Sequence, residues 1–362
     1  LKVLQLINRF DFGGAENHVR ELCNELAHQN INVFLATEYG RQKALLNQRV
    51  NFIKTSMLTR TMLIPQVISI AYTVIKYRID VINAHQRLPI ISACLAGFLL
   101  RVPVVATVHG RVRHDLRSFL ARRMTSKIVF VSKRVLTVSK HYKQLYGKSL
   151  IIPNGIPLSN RNPKIAPLSI GYISRIDTQH TSVIERLTLA VESLKNDYPD
   201  ITLTIYGDGK KLSKVVEMAN EINNPIGSPT IYVKGYSNFM DEELLPELIV
   251  GAGRVAIEAI LQGISVLSVT PKRMGDIITP TNYRWHAENN FININGEPST
   301  INVLYSKIKD HIKNRQYYRN CSAELQNSAA GDFGITKTTT HLVELYSTLL
   351  YEIPEPMNNK KA

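Results

Sequence analysis

The chain has 362 residues, 44% of them hydrophobic and 20% charged, which excludes a disordered protein and is enough for two domains with their own cores. Its net charge of +15 is lopsided: residues 1–150 hold 23 Lys+Arg against 7 Asp+Glu, and residues 151–362 hold 21 against 22. Only the first half therefore presents a field that attracts anionic lipid, an anionic polymer or nucleic acid.

The three cysteines, Cys23, Cys94 and Cys321, are widely spaced and form neither a disulfide framework nor a metal pattern. No apolar run is long enough to span a bilayer, and the start LKVLQLINRF reads as a first core strand, not as a signal peptide. The expectation is a cytosolic protein.

Residues 2–7 (KVLQLI) read as a buried strand, followed by the loop NRFDFGG and a helix over 15–29 with apolar residues at 19, 22, 23 and 26. Gly13 and Gly14 let the backbone approach a ligand closely, but the G-x-G-x-x-G dinucleotide fingerprint is absent. A strand at 31–37 completes a βαβ start. An amphipathic helix is expected over 61–78, with a basic tip, and a strand over 80–85 that ends in the polar cluster His85-Gln86-Arg87. After a helix at 90–100, the run PVVATVH ends at His109-Gly110. That is the carboxyl end of a parallel strand, where α/β sheets build their sites, although a plain surface histidine fits the same pattern.

The segment 111–127 is dense in base: Arg111, Arg113, His114, Arg117, Arg122, Arg123 and Lys127. Forked guanidinium groups suit phosphate and carboxylate, and a solvated helix face is the alternative. The scarcity of aromatic residues here argues against single-stranded nucleic acid. A strand at 128–132, a helix at 133–146 and a strand at 150–153 close a first doubly wound half. The polar stretch SNRNPKIAP (159–167) is the expected linker.

The alternation then restarts: strand 169–174, helix 181–196, strand 201–207, helix 210–223, strand 230–235 and a short helix near 241–246. In Leu248–Val269 an apolar run leads into Gly251-Ala252-Gly253-Arg254, then a helix carrying Glu258, then Gly263 and a β-branched run. A glycine turn before a helix N-terminus offers bare amides to a phosphate, and Glu258 could meet hydroxyls of the same ligand. An ordinary βαβ unit with packing glycines and a solvated glutamate fits the spacing too. Residues 271–291 read as a loop and short helix, and helices near 299–313, 315–329 and 335–352 end the chain.

Taken together, GGAE at 13–16, AHQRLP at 84–89, TVHGR at 107–111, IPNGI at 152–156, SRID at 174–177, IYGDG at 205–209 and GRVAIEAILQGISVL at 253–267 resemble family-four nucleotide-sugar glycosyltransferases. The resemblance covers about residues 1–295. It implies an α/β chain of two Rossmann-like domains facing a central cleft (GT-B): an acceptor-side domain at 1–157, joined by the helix 335–352, and a nucleotide-sugar-binding domain at 158–334. It further implies a retaining glycosyltransferase of hexosyl or N-acetylhexosaminyl type. The donor would be a nucleotide diphosphate sugar, a UDP-sugar, with no metal and no other cofactor.

Carried onto these residues, His109 contacts the donor sugar and helps place the acceptor, and Arg175 neutralises the diphosphate. Gly13, Gly14, His180, Gly251, Gly253, Arg254 and Glu258 complete the donor side. His85, Arg87, Arg111, Arg113, Arg117, Arg122 and Arg123 form an acceptor or anionic surface. The acceptor expected from the basic first half is a cell-envelope glycan or glycolipid, met at the inner face of an anionic membrane; no nucleic acid is expected. Two positions depart from the family: Val250 stands where a first acid precedes Glu258 by eight, and His180 stands where a lysine follows Arg175 by five. These departures support an alternative, a catalytically silent partner subunit that binds an anionic polymer or an active enzyme.

Overall fold

A computed structural model describes residues 1–11, 13–55, 63–112, 116–139, 145, 147–159, 163–224, 229–293 and 295–351, without the side chains of 116–118. Arg113, the Arg117 side chain, most of 139–146 and the tail from 352 lie outside the described residues. The chain divides into two units, Leu1–Pro157 with the chain from Phe333 onward, and Leu158–Asp332.

The first unit contains strands β1 (Lys2–Leu6), β2 (Asn32–Thr37), β3 (Asn51–Lys54), β4 (Val81–His85), β5 (Val104–Val108), β6 (Lys127–Phe130) and β7 (Ser149–Ile151). Its helices are α1 (Gly14–His28), α2 (Leu63–Tyr77), α3 (Arg87–Leu100), α4 (Leu116–Met124) and α5 (Lys133–Val138). The strands form one parallel sheet in the order β3-β2-β1-β4-β5-β6-β7. Central strands of such a sheet are covered on both faces, so they read as continuous apolar runs without alternation. Helices α2, α3 and α4 bury one face, through Ile70, Val74, Ile91, Cys94 and Ala121. On the other face α1 contributes Val19, Leu22, Cys23 and Leu26.

The second unit contains strands β8 (Lys164–Ile173), β9 (Thr202–Tyr206), β10 (Ile231–Gly235), β11 (Leu244–Gly251), β12 (Ser265–Val269), β13 (Arg273–Ile277) and β14 (Glu297–Pro298). Its helices are α6 (Thr178–Leu194), α7 (Leu212–Asn223), α8 (Arg254–Leu261), α9 (Pro280–Glu288), α10 (Ile301–Lys313) and α11 (Arg315–Phe333). The order is β10-β9-β8-β11-β12-β13-β14, parallel except at the β13 and β14 end.

Helix α12 (Ile335–Tyr351) then returns to the first unit. Leu342, Tyr346 and Leu349 bury against the face that holds α1, and each buried side chain of this size contributes about 1.5–3 kcal/mol. Its start is locked by Ile156 N–H donating to Phe333 O and Ile335 N–H donating to Ile156 O. Gly155 is required at this crossing, because a Cβ there would lie 2.1 Å from Thr338 Oγ1 and 2.8 Å from Ile335 Cα.

Three sequence expectations need correction. The helix expected near 241–246 is a short 3-10 turn, Phe239–Asp241, followed directly by β11. Pro246, which has no N–H for a ladder, sits where the β11–β8 register shifts. The linker expected at 159–167 ends early, since β8 begins at Lys164 and pairs there with Leu244. The loop expected after residue 271 contains β13, whose RMGDI sequence offers only two buried residues to betray a strand.

Candidate functional site

A doubly wound sheet opens a crevice where neighbouring strands send their chains in opposite directions. In the first unit that point lies between β1 and β4, and in the second between β8 and β11. Gly13, Gly14, His85 and Arg87 lie at or just after the carboxyl ends of β1 and β4, and Arg175, His180, Gly251, Gly253 and Arg254 just after those of β8 and β11.

In the first unit, Gln86 follows β4 with φ of 66°, a strained value for a residue with a Cβ. Its side chain ties the loop after β1 to the first turn of α1: Oε1 accepts from Asn8 N–H at 3.3 Å and Nε2 donates to Glu16 Oε1 at 2.8 Å. His85, the last residue of β4, is wholly buried. That corrects its assignment to an acceptor or anionic surface: its ring is consumed inside the sheet.

His85 Nε2 donates to Gln5 Oε1 at 2.9 Å, and its Nδ1 stands 3.1 Å from His109 Nε2. Burial first, and then His109, push the His85 imidazole well below its usual pKa, so the ring is neutral. A neutral ring that donates through Nε2 must accept at Nδ1, which places the shared proton on His109 Nε2. Behind this pair Gln5 Nε2 and Asn83 Nδ2 both donate to Tyr346 Oη, at 3.5 and 2.8 Å, and Thr107 Oγ1 donates to Asn83 Oδ1 at 2.8 Å. Helix α12 is thereby tied through buried polar groups to the strand ends that carry His85 and His109.

His18 on α1 completes a cluster of three imidazoles whose ligand nitrogens lie within 4.8 Å of one another. Among the described residues this is the one group with metal-ligand proximity. It contains no carboxylate, and two of its nitrogens already share a hydrogen bond.

Next to the cluster a cavity of about 260 Å³ is lined by Gln86, Arg87, His109, Gly110, Arg111 and Arg122, with Ile90, Ile91, Val108, Val112 and Ile128 as its apolar wall. The structure thus brings Arg87, His109, Arg111 and Arg122 together. Arg122, expected at the surface, is only 7% exposed. Arg123 points to solvent, its guanidinium 5.8 Å from the Phe119 ring centroid, and is not part of this wall. At Gly13 φ is 176°, ordinary extended backbone, although a Cβ there would run into Glu16 Oε2, the far end of a side chain; a Cβ at Gly14 would meet nothing within 4 Å.

In the second unit a cavity of about 350 Å³ is lined by Ser174, His180, Gly251, Gly253, Arg254 and Thr270 among others. Gly253 caps α8 with φ of 63° and ψ of −134°, a conformation that requires glycine. Arg254 opens the helix, and its Nε donates to Glu258 Oε1 at 2.6 Å, the two side chains being 10% and 11% exposed. Glu258 is not on the cavity wall; it stands one turn behind Arg254 and holds it there.

The opposite wall is the loop after β8. Asp177 caps α6, accepting from the Gln179 and His180 amides at 3.0 Å each and from His180 Nδ1 at 2.8 Å. The His180 hydrogen bonds, backbone then side chain, hold the Asp177 carboxyl below the usual carboxylate range. Arg175 is exposed in the same loop. The IYGDG segment braces that loop: Asp208 O accepts from Ile176 N–H at 3.0 Å, and a Cβ at Gly207 would lie 1.9 Å from Ser174 O. Val250, the position of the expected first acid, lies inside β11 between Tyr172 and Leu267 and is wholly buried.

His18, Gln86 and Tyr346 were missed as site residues. Each carried a faint signal. His18 and Tyr346 are polar rings on apolar helical stripes, 18-22-26 and 342-346-349, where a hydrogen-bonding group needs a partner. Gln86 lies at the turn between a strand and a helix.

Residues 12–160 match the profile of Glycosyltransferase Family 4. A glycogen synthase of Mycobacterium tuberculosis is 25% identical over 169 residues, 40% of this chain and 39% of the relative, so the alignment spans well under half of that protein. Among solved structures, Anabaena HepE in complex with UDP superposes with a TM-score of 0.72 at 18% identity, covering 96% of this chain and 100% of that one. The UDP-GlcNAc 2-epimerase of Neisseria meningitidis, bound to UDP-GlcNAc, superposes with a TM-score of 0.65 at 13% identity, covering 96% and 100%. At such identities the structural likeness speaks for the fold. The first unit is thus similar to Glycosyltransferase Family 4 over residues 12–160, and the chain has the two Rossmann-like domains of the GT-B fold.

Proposed function

We propose that this chain is a retaining glycosyltransferase that moves a hexosyl or N-acetylhexosaminyl unit from a UDP-sugar to a cell-envelope glycan or glycolipid, at the inner face of a membrane. The observation that carries this reading is the second-unit cavity at the β8–β11 switch point, walled by His180, the Gly251–Gly253 turn and Arg254 at a helix N-terminus. Bare amides, a helix dipole and a fixed guanidinium suit a diphosphate. Charge develops on the leaving diphosphate as the anomeric C–O bond breaks. Arg175 and Arg254 are assigned to that charge; losing one such preorganised donor costs about 10²–10³ in rate.

In the first unit, His109 is assigned to the donor sugar and to placing the acceptor. The adjoining cavity joins an apolar wall to Arg87, Arg111 and Arg122, which suits an acceptor with an anionic group and an apolar portion. UDP complexes of a protein with the same fold support the donor class.

Two observations favour a silent partner subunit as the second reading. Val250 is core and cannot serve as an acid, and His180, in place of lysine, is turned onto Asp177. Incubation with UDP-sugars and lipid-phosphate acceptors, read by UDP release and by mass of the product, decides the matter. UDP release with a heavier acceptor supports transfer. Binding without turnover supports the silent reading, to be followed by His180→Lys. Stereochemical change of the sugar without UDP release would make the chain an epimerase.

A further inference from the structure

We propose that the outer face of α2, continued by the end of α3, docks on an anionic lipid bilayer. This deepens the membrane placement proposed above and is independent of the donor chemistry. Ile64, Ile68, Tyr72 and Ile75 are 73%, 63%, 62% and 65% exposed. Their spacing puts them on one stripe of the helix, while Gln66, Ile70, Thr73 and Val74 on the inward side are buried. Phe98 and Leu99, each 69% exposed, end α3, which packs beside α2. Single exposed apolar residues are ordinary on a protein surface, but four large ones on one helical stripe, with two more on the helix packed beside it, mark an interaction face.

Charge selects the occupant. Neither helix contains an Asp or Glu, and Lys76, Arg78 and Arg101 stand where the apolar residues end. Lys76 Nζ lies 5.5 Å from the Tyr72 ring centroid and 5.3 Å from that of Tyr77, so an ammonium rides on the aromatic edge of the stripe. Apolar side chains sunk below basic and aromatic ones are what the interface of an anionic membrane accepts. A second copy of the chain fits poorly, because residues 1–150 hold 23 basic against 7 acidic residues and like charge would face like.

The test is sedimentation of the full chain with vesicles of phosphatidylcholine alone or mixed with phosphatidylglycerol, at low and high salt. Binding to the mixed vesicles, weakened by salt, is expected. The Ile68→Glu/Tyr72→Glu double variant should lose affinity roughly tenfold or more, with unchanged Tm because both positions face solvent. Lys76→Glu should cost at least about fivefold. A UDP-induced rise in Tm retained by these variants separates loss of docking from loss of the donor site. Docking is overturned if the chain ignores anionic vesicles, if the double variant binds them as well as the unaltered chain, or if the face instead drives concentration-dependent self-association that Ile68→Glu abolishes.

Discussion

Glu258→Gln removes a charge from the donor side while keeping the shape of the side chain. The Arg254–Glu258 pair is 2.6 Å long, one helical turn apart, with about a tenth of each side chain exposed. Removing one partner of a fully buried pair costs about 3–5 kcal/mol. Here Arg254 borders an open cavity and glutamine still offers Oε1 as an acceptor, so the loss falls to about 1–2 kcal/mol. Urea unfolding of the two proteins reads it directly. The functional loss should be larger in proportion: a guanidinium no longer fixed on the cavity wall must be ordered by the ligand, and UDP affinity should fall about tenfold. A double-mutant cycle with Arg254→Met should return a coupling within about 0.5–3 kcal/mol. Tighter UDP binding by Glu258→Gln would refute the reasoning, because it would show the carboxylate competing with phosphate for Arg254.

Two further outcomes follow from the buried polar groups. Tyr346→Phe strands Asn83 Nδ2, which loses its 2.8 Å acceptor in a wholly buried site; stability to urea should drop by about 1–3 kcal/mol. Acid should weaken the second unit, since burial holds His286 and His311 at about 4 against an ordinary 6.5. Their folded pKa is depressed, so the unfolded chain binds more protons between those values. The stabilisation is complete above pH 6.5 and is lost as pH falls toward 4. From pH 7 to 5 the loss is roughly 2 kcal/mol per histidine, and His311→Gln should flatten the profile of unfolding midpoint against pH.

The βα alternation was legible because buried parallel strands are continuous apolar runs, and most end at a loop carrying glycine or a polar residue. The loops after β1, β4, β5, β8 and β11 were therefore legible in the sequence, and with them the places of His109, Arg175, His180 and the Gly251–Arg254 turn along the chain. Helix–strand ambiguity cost the start of β11, where Pro246 and two adjacent glutamates disguised a strand. The short strand β13 gave too few buried residues to recognise. What stayed hidden was pairing across long sequence separations. Nothing in the neighbourhood of His85 shows that its ring meets Gln5, or that Tyr346, 263 residues beyond Asn83, closes the same network. Likewise nothing in the spacing alone shows that Glu258 Oε1 accepts from Arg254 Nε one helical turn away. Burial turned His85 from a surface candidate into a support for His109.

Donor binding is tested most directly by thermal unfolding of the full chain with UDP and with UDP-sugars. A ligand at a hundred times its Kd adds about 2.7 kcal/mol to the stability of the form that binds it. A clear rise in Tm with uridine diphosphates, reduced in Glu258→Gln and absent in Arg254→Met, is the predicted result. No rise with any nucleoside diphosphate or its sugar conjugate would contradict the assignment of the second-unit cavity as a donor site.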